Sequence, residues 1–381
     1  MTTTTDDSAE LRAQLVDRLV GDDLLHEPRW REAFRAIPRE VLVDRFAVHD
    51  PATGRHTHHD PTVDRASALA AVYSDVALLT QLDSGGTATS SSTAPSLMAL
   101  MLERLDARPG HRVLEIGTGT GYNAALLCHG LGDHAVTSID IDPGLVAQAR
   151  ARLAELGYGP HLVVGDGALG VPAPDQYDRI IATCGLARVP EAWPAQVCEG
   201  GVILVNLGFA LARLTVAADR SACGRFTDYA SFMRRRTDTG ETAPTVHDIL
   251  TAADRDGATY QAPFPSFLKE RPLQCLHAIV HSHVHKVMVH SDEGDLYVLS
   301  NPGTGSWARA RLGPDGQATV VHGGLGDLWG DLVGLAAWWD DLGRPEPTRF
   351  GLTVSSDGTH TLWLDQPDRA VMHLPTVDLT Q

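Results

Sequence analysis

Basic residues are scarce in this chain: 31 Lys and Arg face 48 Asp and Glu, giving a formal net charge of −17. So acidic a protein is excluded from broad binding of nucleic acid or of an anionic membrane surface, although a local basic patch remains open to it. Cysteine is sparse as well. Cys128, Cys184, Cys198, Cys223 and Cys275 are scattered and form no Cys-x-x-Cys pair, which argues against a disulfide framework and for a reducing, cytoplasmic setting. Long apolar runs are missing, and Met1–Asp7 holds no apolar signal core; neither a membrane span nor secretion is expected. What is present is length and core-forming material. With 381 residues, 43% of them hydrophobic, two or three domains are expected.

The run Val113-Leu114-Glu115-Ile116-Gly117-Thr118-Gly119-Thr120-Gly121-Tyr122 reads as a buried strand, a tight turn and a helix start. The next apolar run, Ala135–Ile139, closes on Asp140 and Ile141. A glycine-rich strand-to-helix turn lets a cofactor approach the backbone, and an acid after the next strand can take both ribose hydroxyls. The spacing is Gly-x-Gly-x-Gly, with Glu115 just ahead of it, rather than the dinucleotide Gly-x-Gly-x-x-Gly. That favours S-adenosylmethionine. Glu115, Gly117, Thr118, Gly119, Gly121 and Tyr122 are therefore expected to floor the cofactor pocket, with Asp140 and Ile141 at the ribose and Asp166 and Gly167 beside the adenine. Asp142, followed by Pro143, reads as a helix cap.

Along the chain, residues 1–9 look disordered, and 9–46 carry a helical pattern with Leu11, Leu15 and Leu19 on one face. Residues 53–61 and the Ser/Thr-rich 84–92 read as loops. Strands and helices then alternate, the mark of a parallel α/β sheet: strands 113–116, 136–140, 161–164, 179–182 and 202–205, with 211–217 as an antiparallel edge. Composition changes near Arg234-Arg235-Arg236, and short glycine-punctuated segments follow (278–289, 295–299, 349–354, 359–364), with a helix at 327–339 carrying Trp329, Trp338 and Trp339 as core residues. The expected fold class is α/β: a Rossmann-like class I methyltransferase sheet with an N-terminal helical segment and a C-terminal α+β extension, divided at 1–95, 96–235 and 236–381.

Several separated blocks resemble the protein-L-isoaspartate O-methyltransferase family over residues 30–207. They are Ala33-Phe34-Arg35-Ala36-Ile37-Pro38-Arg39-Glu40, Tyr73-Ser74-Asp75, Thr93-Ala94-Pro95-Ser96-Leu97-Met98, Val113 to Ala125, Gly165-Asp166-Gly167, Tyr177-Asp178-Arg179-Ile180-Ile181, Val189-Pro190, Gln196 and Gly200-Gly201. The resemblance implies methylation of an isoaspartyl side-chain carboxylate, followed by loss of methanol to a succinimide. It also implies a Ser-x-Pro element whose hydroxyl faces the substrate. Here that position is Thr93, with Ser91 and Ser92 adjacent, so these three are the catalytic candidates.

The long C-terminal part, with Arg349–Val354 and Leu362–Asp365 near its end, resembles extended actinobacterial variants associated with ribosomally made, modified peptides of the lanthipeptide and graspetide type. That implies an aspartate of a macrocyclic peptide as acceptor, an aspartimide or isoaspartate as product, and peptide recognition by residues 236–381. General isoaspartyl repair is the alternative. A non-catalytic peptide-holding module is a third reading, opposed by the intact glycine loop and Asp140.

Other signals are less directive. Arg234-Arg235-Arg236 suits either an acidic leader peptide or a solvated turn. His56-x-His58-His59 and His281-x-His283-x-His285 have metal-like spacing, the latter with three imidazoles on one strand face. A zinc site draws ligands from several elements, so no metal is expected. Cys184, following strand four near the pocket, is expected to pack. The Asp140→Ala variant should stay folded and bind S-adenosylmethionine about 1.5–3 kcal/mol more weakly, for the loss of a charge-assisted ribose contact. An unchanged affinity by titration calorimetry removes Asp140 from the site.

Overall fold

Two helices open the chain, α1 (Asp6–Gly21) and α2 (Pro28–Ala36). Proline at the first turn of α2 suits a position whose N–H has no helical partner. Leu15, Val16 and Leu19 of α1 share one apolar cluster with Trp30 and Phe34 of α2. The computed structural model describes residues 6–50, 52–83, 86–172, 176–236, 244–290, 294–313 and 316–375. The expected disordered start is therefore helical from Asp6, and residues 1–5 lie outside the described ones.

The expected helical pattern ends before Phe46, where an antiparallel sheet begins: β1 (Phe46–His49), β2 (His56–His59), then α3 (Arg65–Val72), β3 (Leu78–Leu82) and β4 (Ala88–Ser92). Its order is β2-β1-β3-β4. Both polar stretches expected as loops thus contain strands, though residues 84–85 lie outside the described ones. Polar residues hold a buried strand face here because their hydroxyls are satisfied: Ser90 Oγ meets Thr80 Oγ1 at 3.1 Å, and Ser92 Oγ accepts from a buried arginine, Arg39.

The helix α4 (Pro95–Leu105) leads into the expected alternation: β5 (Val113–Ile116), α5 (Tyr122–Leu131), β6 (Val136–Asp140), α6 (Pro143–Glu155), β7 (His161–Val164), β8 (Tyr177–Leu186), α7 (Ala192–Gln196) and β9 (Val197–Leu207). Strands β7-β6-β5-β8-β9 pair in parallel. All four residues of β5 are buried, as in a strand covered on both faces. The Asp142 carboxylate caps α6 by accepting from Gly144 N and Leu145 N at 2.8 and 3.1 Å.

Beyond β9 the sheet turns antiparallel through β10 (Ala210–Val216) and β11 (Ala222–Tyr229). The C-terminal part supplies α8 (Val246–Ala253), β12 (Ala258–Pro263), α9 (Arg271–Val280), β13 (His285–Val289), β14 (Leu296–Asn301), β15 (Ser306–Leu312), β16 (Gln317–Gly323), α10 (Leu328–Asp341), β17 (Phe350–Val354), β18 (His360–Leu364) and β19 (Ala370–His373). Strands β12-β16-β15-β14-β13 make a separate antiparallel sheet, whereas β17, β18 and β19 continue the central one past β11. So 210–216 is an interior strand, not an edge, and the last strands of the extension belong to the central sheet. The expected segment 278–289 is also corrected: α9 runs to Val280, so only His285 of the three spaced histidines lies in a strand.

One apolar cluster joins β9–β11 to the extension. Val205, Leu214 and Phe226 share it with Leu276, Leu299, Trp329, Trp339 and Phe350. The fragment 1–236 should therefore aggregate or lose cooperative thermal unfolding, because β11 becomes an open edge and this face meets water. A soluble fragment that melts cooperatively contradicts this.

Candidate active site

At the carboxyl ends of β5, β6 and β8 lies a cavity of about 460 Å³, within the roughly 300–1,000 Å³ usual for small-ligand sites. The glycine turn forms one wall. Gly117 sits at φ +98°, and a Cβ there would lie 2.9 Å from Thr183 Oγ1; the Thr183 hydroxyl in turn donates to the Gly117 carbonyl at 2.8 Å. Gly119, at φ +52°, has its Cβ position 3.5 Å from the Ser91 carbonyl. A side chain at either position would be strained and would crowd the space a ligand needs.

Glu115 lies under the turn, fully buried. It accepts from Ser138 Oγ at 2.6 Å and Asn123 Nδ2 at 2.8 Å, and Ser138 Oγ also meets Thr118 Oγ1 at 2.7 Å. Burial raises its carboxyl to about 7, partly offset by these hydrogen bonds. Asn123 Oδ1 is buried on the cavity wall without a partner. Asp140 ends β6 and accepts from Gly119 N at 2.9 Å and Asp142 N at 3.1 Å. A carboxylate offers about four lone-pair directions, so acceptor capacity remains for a diol. Ile141, Tyr122 and Gly167 also line the cavity.

Ser91, Ser92 and Thr93 also line the cavity. Their carrier is fixed by Arg39, which is fully buried. Its guanidinium donates to Ser92 Oγ (3.2 Å) and to the carbonyls of Val72 (2.7 Å), Val76 (3.3 Å), Ser92 (3.1 Å) and Thr93 (2.9 Å). It also lies over the Tyr122 ring at 5.6 Å. Burial lowers this guanidinium to about 10. Ser92 is thus occupied by Arg39, while the Thr93 side chain has no hydrogen-bond partner among the described residues. Asp75 accepts from Ser96 N at 2.8 Å and pins the start of α4.

Two expected cofactor residues sit elsewhere. Gly121 does not line the cavity: at φ +85° it starts α5, and a Cβ would press on Ala149 of α6 at 3.2 Å. Its role is helix packing. Asp166 lies off the cavity wall and pairs with Arg235 at 2.5 Å.

Sequence reasoning left the Arg234–Arg236 run open. The segment 231–236 closes over the cavity, held to β8 by Gly185 N to the Met233 carbonyl and Arg235 N to the Gly185 carbonyl, both 2.8 Å. Arg236 reaches Asp140 at 3.8 Å and Asp142 at 3.5 Å. No local pattern carries this placement, since the run meets its acids only through the sheet. Cys184 also lines the cavity, and burial pushes its thiol up to about 12, a packing environment rather than a reactive one. Among the described residues no group of three or more His, Cys, Asp or Glu is placed to hold a metal ion, and no helix is long and apolar enough to cross a membrane.

A doubly wound sheet with a glycine turn, a strand-terminal acid and a cavity at the strand ends is the Rossmann-like fold of the S-adenosylmethionine-dependent methyltransferase core. The family model of protein-L-isoaspartate(D-aspartate) O-methyltransferases matches residues 61–228. A protein-L-isoaspartate O-methyltransferase of Ignicoccus hospitalis is 34% identical over 198 residues, 51% of this chain and 81% of that protein. The enzyme of that name from Methanopyrus kandleri is 40% identical over 205 residues, 52% and 76%. The chain belongs to the protein-L-isoaspartate O-methyltransferase family. With the Thermotoga maritima relative, 40% identical over 147 residues, the match spans 38% of this chain and only 46% of that protein. A solved structure titled protein-L-isoaspartate O-methyltransferase, 22% identical, has the same fold with TM-score 0.54 over 93% of this chain and 100% of its own. That likeness of fold extends over most of the C-terminal part of this chain.

Glu115 generates a pH prediction. Its carboxyl lies above its ordinary value of 4.5 when folded, so the stability tied to its protonated form is full below about 4.5 and is lost as pH rises through about 7. The loss is up to about 3 kcal/mol. Replacing Glu115 by Gln should flatten the decline in Tm between pH 5 and 8. An equal decline in both proteins by calorimetry contradicts the assignment.

Proposed function

We propose that this chain transfers a methyl group from S-adenosylmethionine to the side-chain carboxylate of an aspartyl or isoaspartyl residue in a peptide. The observation that carries the reading is a single cavity lined both by the glycine turn with Asp140 and by Thr93, whose carbonyl Arg39 holds. When bound, the cofactor supplies an electrophilic methyl on a sulfonium. Asp140 would hold the ribose, displacing Arg236, and the Gly117–Gly119 backbone would receive the amino-acid end.

The acceptor needs no general base, since a carboxylate with an ordinary pKa near 4 is already ionised at neutral pH. The task of the protein is alignment and exclusion of water. In this reading Thr93 Oγ1 donates to one carboxylate oxygen and leaves the other to attack the methyl carbon. The segment 231–236 covers the reacting atoms. The ester then loses methanol to the neighbouring backbone nitrogen, giving the succinimide, whose hydrolysis yields aspartate and isoaspartate.

In the finer reading the acceptor is an aspartate of a ribosomally made, macrocyclic peptide of the lanthipeptide or graspetide type. Arg234 on the cavity wall supports it, as a contact for an acidic substrate. General repair of linear isoaspartyl proteins is the second reading, favoured by the names of the relatives.

Thr93→Ala should lower kcat about ten- to a few hundredfold with S-adenosylmethionine affinity nearly intact, and Thr93→Ser should keep most activity. Mass spectrometry distinguishes the acceptors. Methylation or loss of water on one aspartate of a cyclised peptide supports tailoring, whereas methylation of linear isoaspartyl peptides alone supports repair. No methylation of either, with the cofactor bound, overturns the activity.

A further inference from the structure

Of the three arginines at 234–236, the last is held most loosely. Arg234 donates to the Ser282 carbonyl at 2.7 Å, and Arg235 meets Asp166 at 2.5 Å. The backbone that carries them is pinned to β8 through Gly185 N to the Met233 carbonyl and Arg235 N to the Gly185 carbonyl, and Arg235 also donates to the Arg236 carbonyl at 3.3 Å. The Arg236 guanidinium instead stands 3.8 Å from Asp140 and 3.5 Å from Asp142, with its side chain 35% exposed. It can swing while the segment beneath it stays in place.

Neither acid depends on Arg236. Asp140 keeps Gly119 N and Asp142 N as donors. Asp142 keeps Gly144 N, Leu145 N and, at 3.4 Å, the Gln81 side-chain amide of β3. A ribose arriving at Asp140 therefore replaces a long, partly exposed ion pair, an interaction of little strength, and it leaves no carboxylate without donors. The cavity itself is short of positive charge. Glu115 and Asp140 line it, and among the described residues Arg234, Arg235 and Arg236 are the only lysines or arginines that do. Arg234 and Arg235 are held at shorter distances by partners outside the ribose site. A carboxylate entering beside two acidic residues loses water and requires a cation close by.

We propose that Arg236 is an acceptor-binding residue with two successive partners: Asp140 in the empty chain, and the carboxylate to be methylated once the cofactor's ribose has taken Asp140. The inference rests on the reading of the acceptor as a peptide carboxylate. It makes binding ordered. Before the cofactor enters, Arg236 is engaged and an incoming carboxylate meets the repulsion of Asp140. Afterwards the same guanidinium is free to donate to one acceptor oxygen, and the other oxygen attacks the methyl carbon. Arg236 keeps its protons throughout, as a guanidinium does at neutral pH. The coupling is reciprocal, so the peptide raises cofactor affinity by the factor by which the cofactor raises peptide affinity.

The test compares the full chain with Arg236→Gln and Arg236→Lys. Titration calorimetry reads S-adenosylhomocysteine, and fluorescence anisotropy reads a labelled linear isoaspartyl peptide and a labelled cyclised aspartyl peptide, each with and without S-adenosylhomocysteine. In the unaltered chain at least one peptide should bind about tenfold tighter when S-adenosylhomocysteine is present. Arg236→Gln should bind S-adenosylhomocysteine about two- to fivefold tighter, because the competing ion pair is gone, and should lose the peptide gain. Arg236→Lys should restore much of that gain. The opposed signs separate this role from a merely structural one, in which Arg236→Gln weakens both ligands. Weaker S-adenosylhomocysteine binding by Arg236→Gln overturns the exchange, as does a peptide gain that survives in it or is missing from the unaltered chain. Both Arg236 effects in a chain that methylates neither peptide uphold the exchange while the methyl-transfer reading falls.

Discussion

The geometry of this molecule depends on one buried cation. Among the described residues Arg39 has no carboxylate ion-pair partner and instead spends its donors on four backbone carbonyls and one hydroxyl, joining residues 72, 76, 92 and 93 at a single point. A guanidinium is suited to this: planar, with five donors in fixed directions and weaker hydration than an ammonium. Desolvating it is costly, so the surrounding carbonyls must be held where they compensate. Arg39 and the Ser92–Thr93 turn therefore order each other. Because Tyr122 lies against the same guanidinium, the start of α5 and the candidate substrate wall are set by a common contact.

A second constraint comes from the C-terminal part. Strands β17–β19 continue the central sheet, and α9, α10 and the separate sheet share its apolar cluster. The chain between β11 and α8 is thereby fixed at both ends, and segment 231–236 is drawn across the cavity. Two of its arginines meet acids: Arg236 approaches Asp140, which lines the cavity, while Arg235 holds Asp166 beside it. The Arg236–Asp140 approach makes entry of a ribose an exchange of partners rather than the filling of a bare site.

Much of the core was legible because its signals are local. The apolar run before Gly117, the acid after the next strand and the Asp142-Pro143 start of α6 each act within a few residues. The strand at 88–92 was hidden because its buried positions are serines, whose partners Thr80 and Arg39 are distant in sequence. The strand at 210–216 looked like an edge because its neighbour β11 and the strands beyond it offer no local signal of pairing. Spacing alone makes Gly121 resemble a cofactor residue, yet its constraint is the approach of Ala149. The three spaced histidines looked like a strand face, whereas α9 extends to Val280 and leaves two of them in the turn that follows. In each case the deciding contact lies between elements, where periodicity carries no information.

The central claim is that the cavity between Gly119 and Thr93 is where the methyl donor and the carboxylate meet. A crystal structure with S-adenosylhomocysteine tests it most directly. The ribose hydroxyls should lie on the Asp140 carboxylate, with Arg236 moved off that carboxylate and the sulfur directed toward Thr93. A ligand bound elsewhere, or one that leaves the Arg236–Asp140 pairing in place, contradicts it.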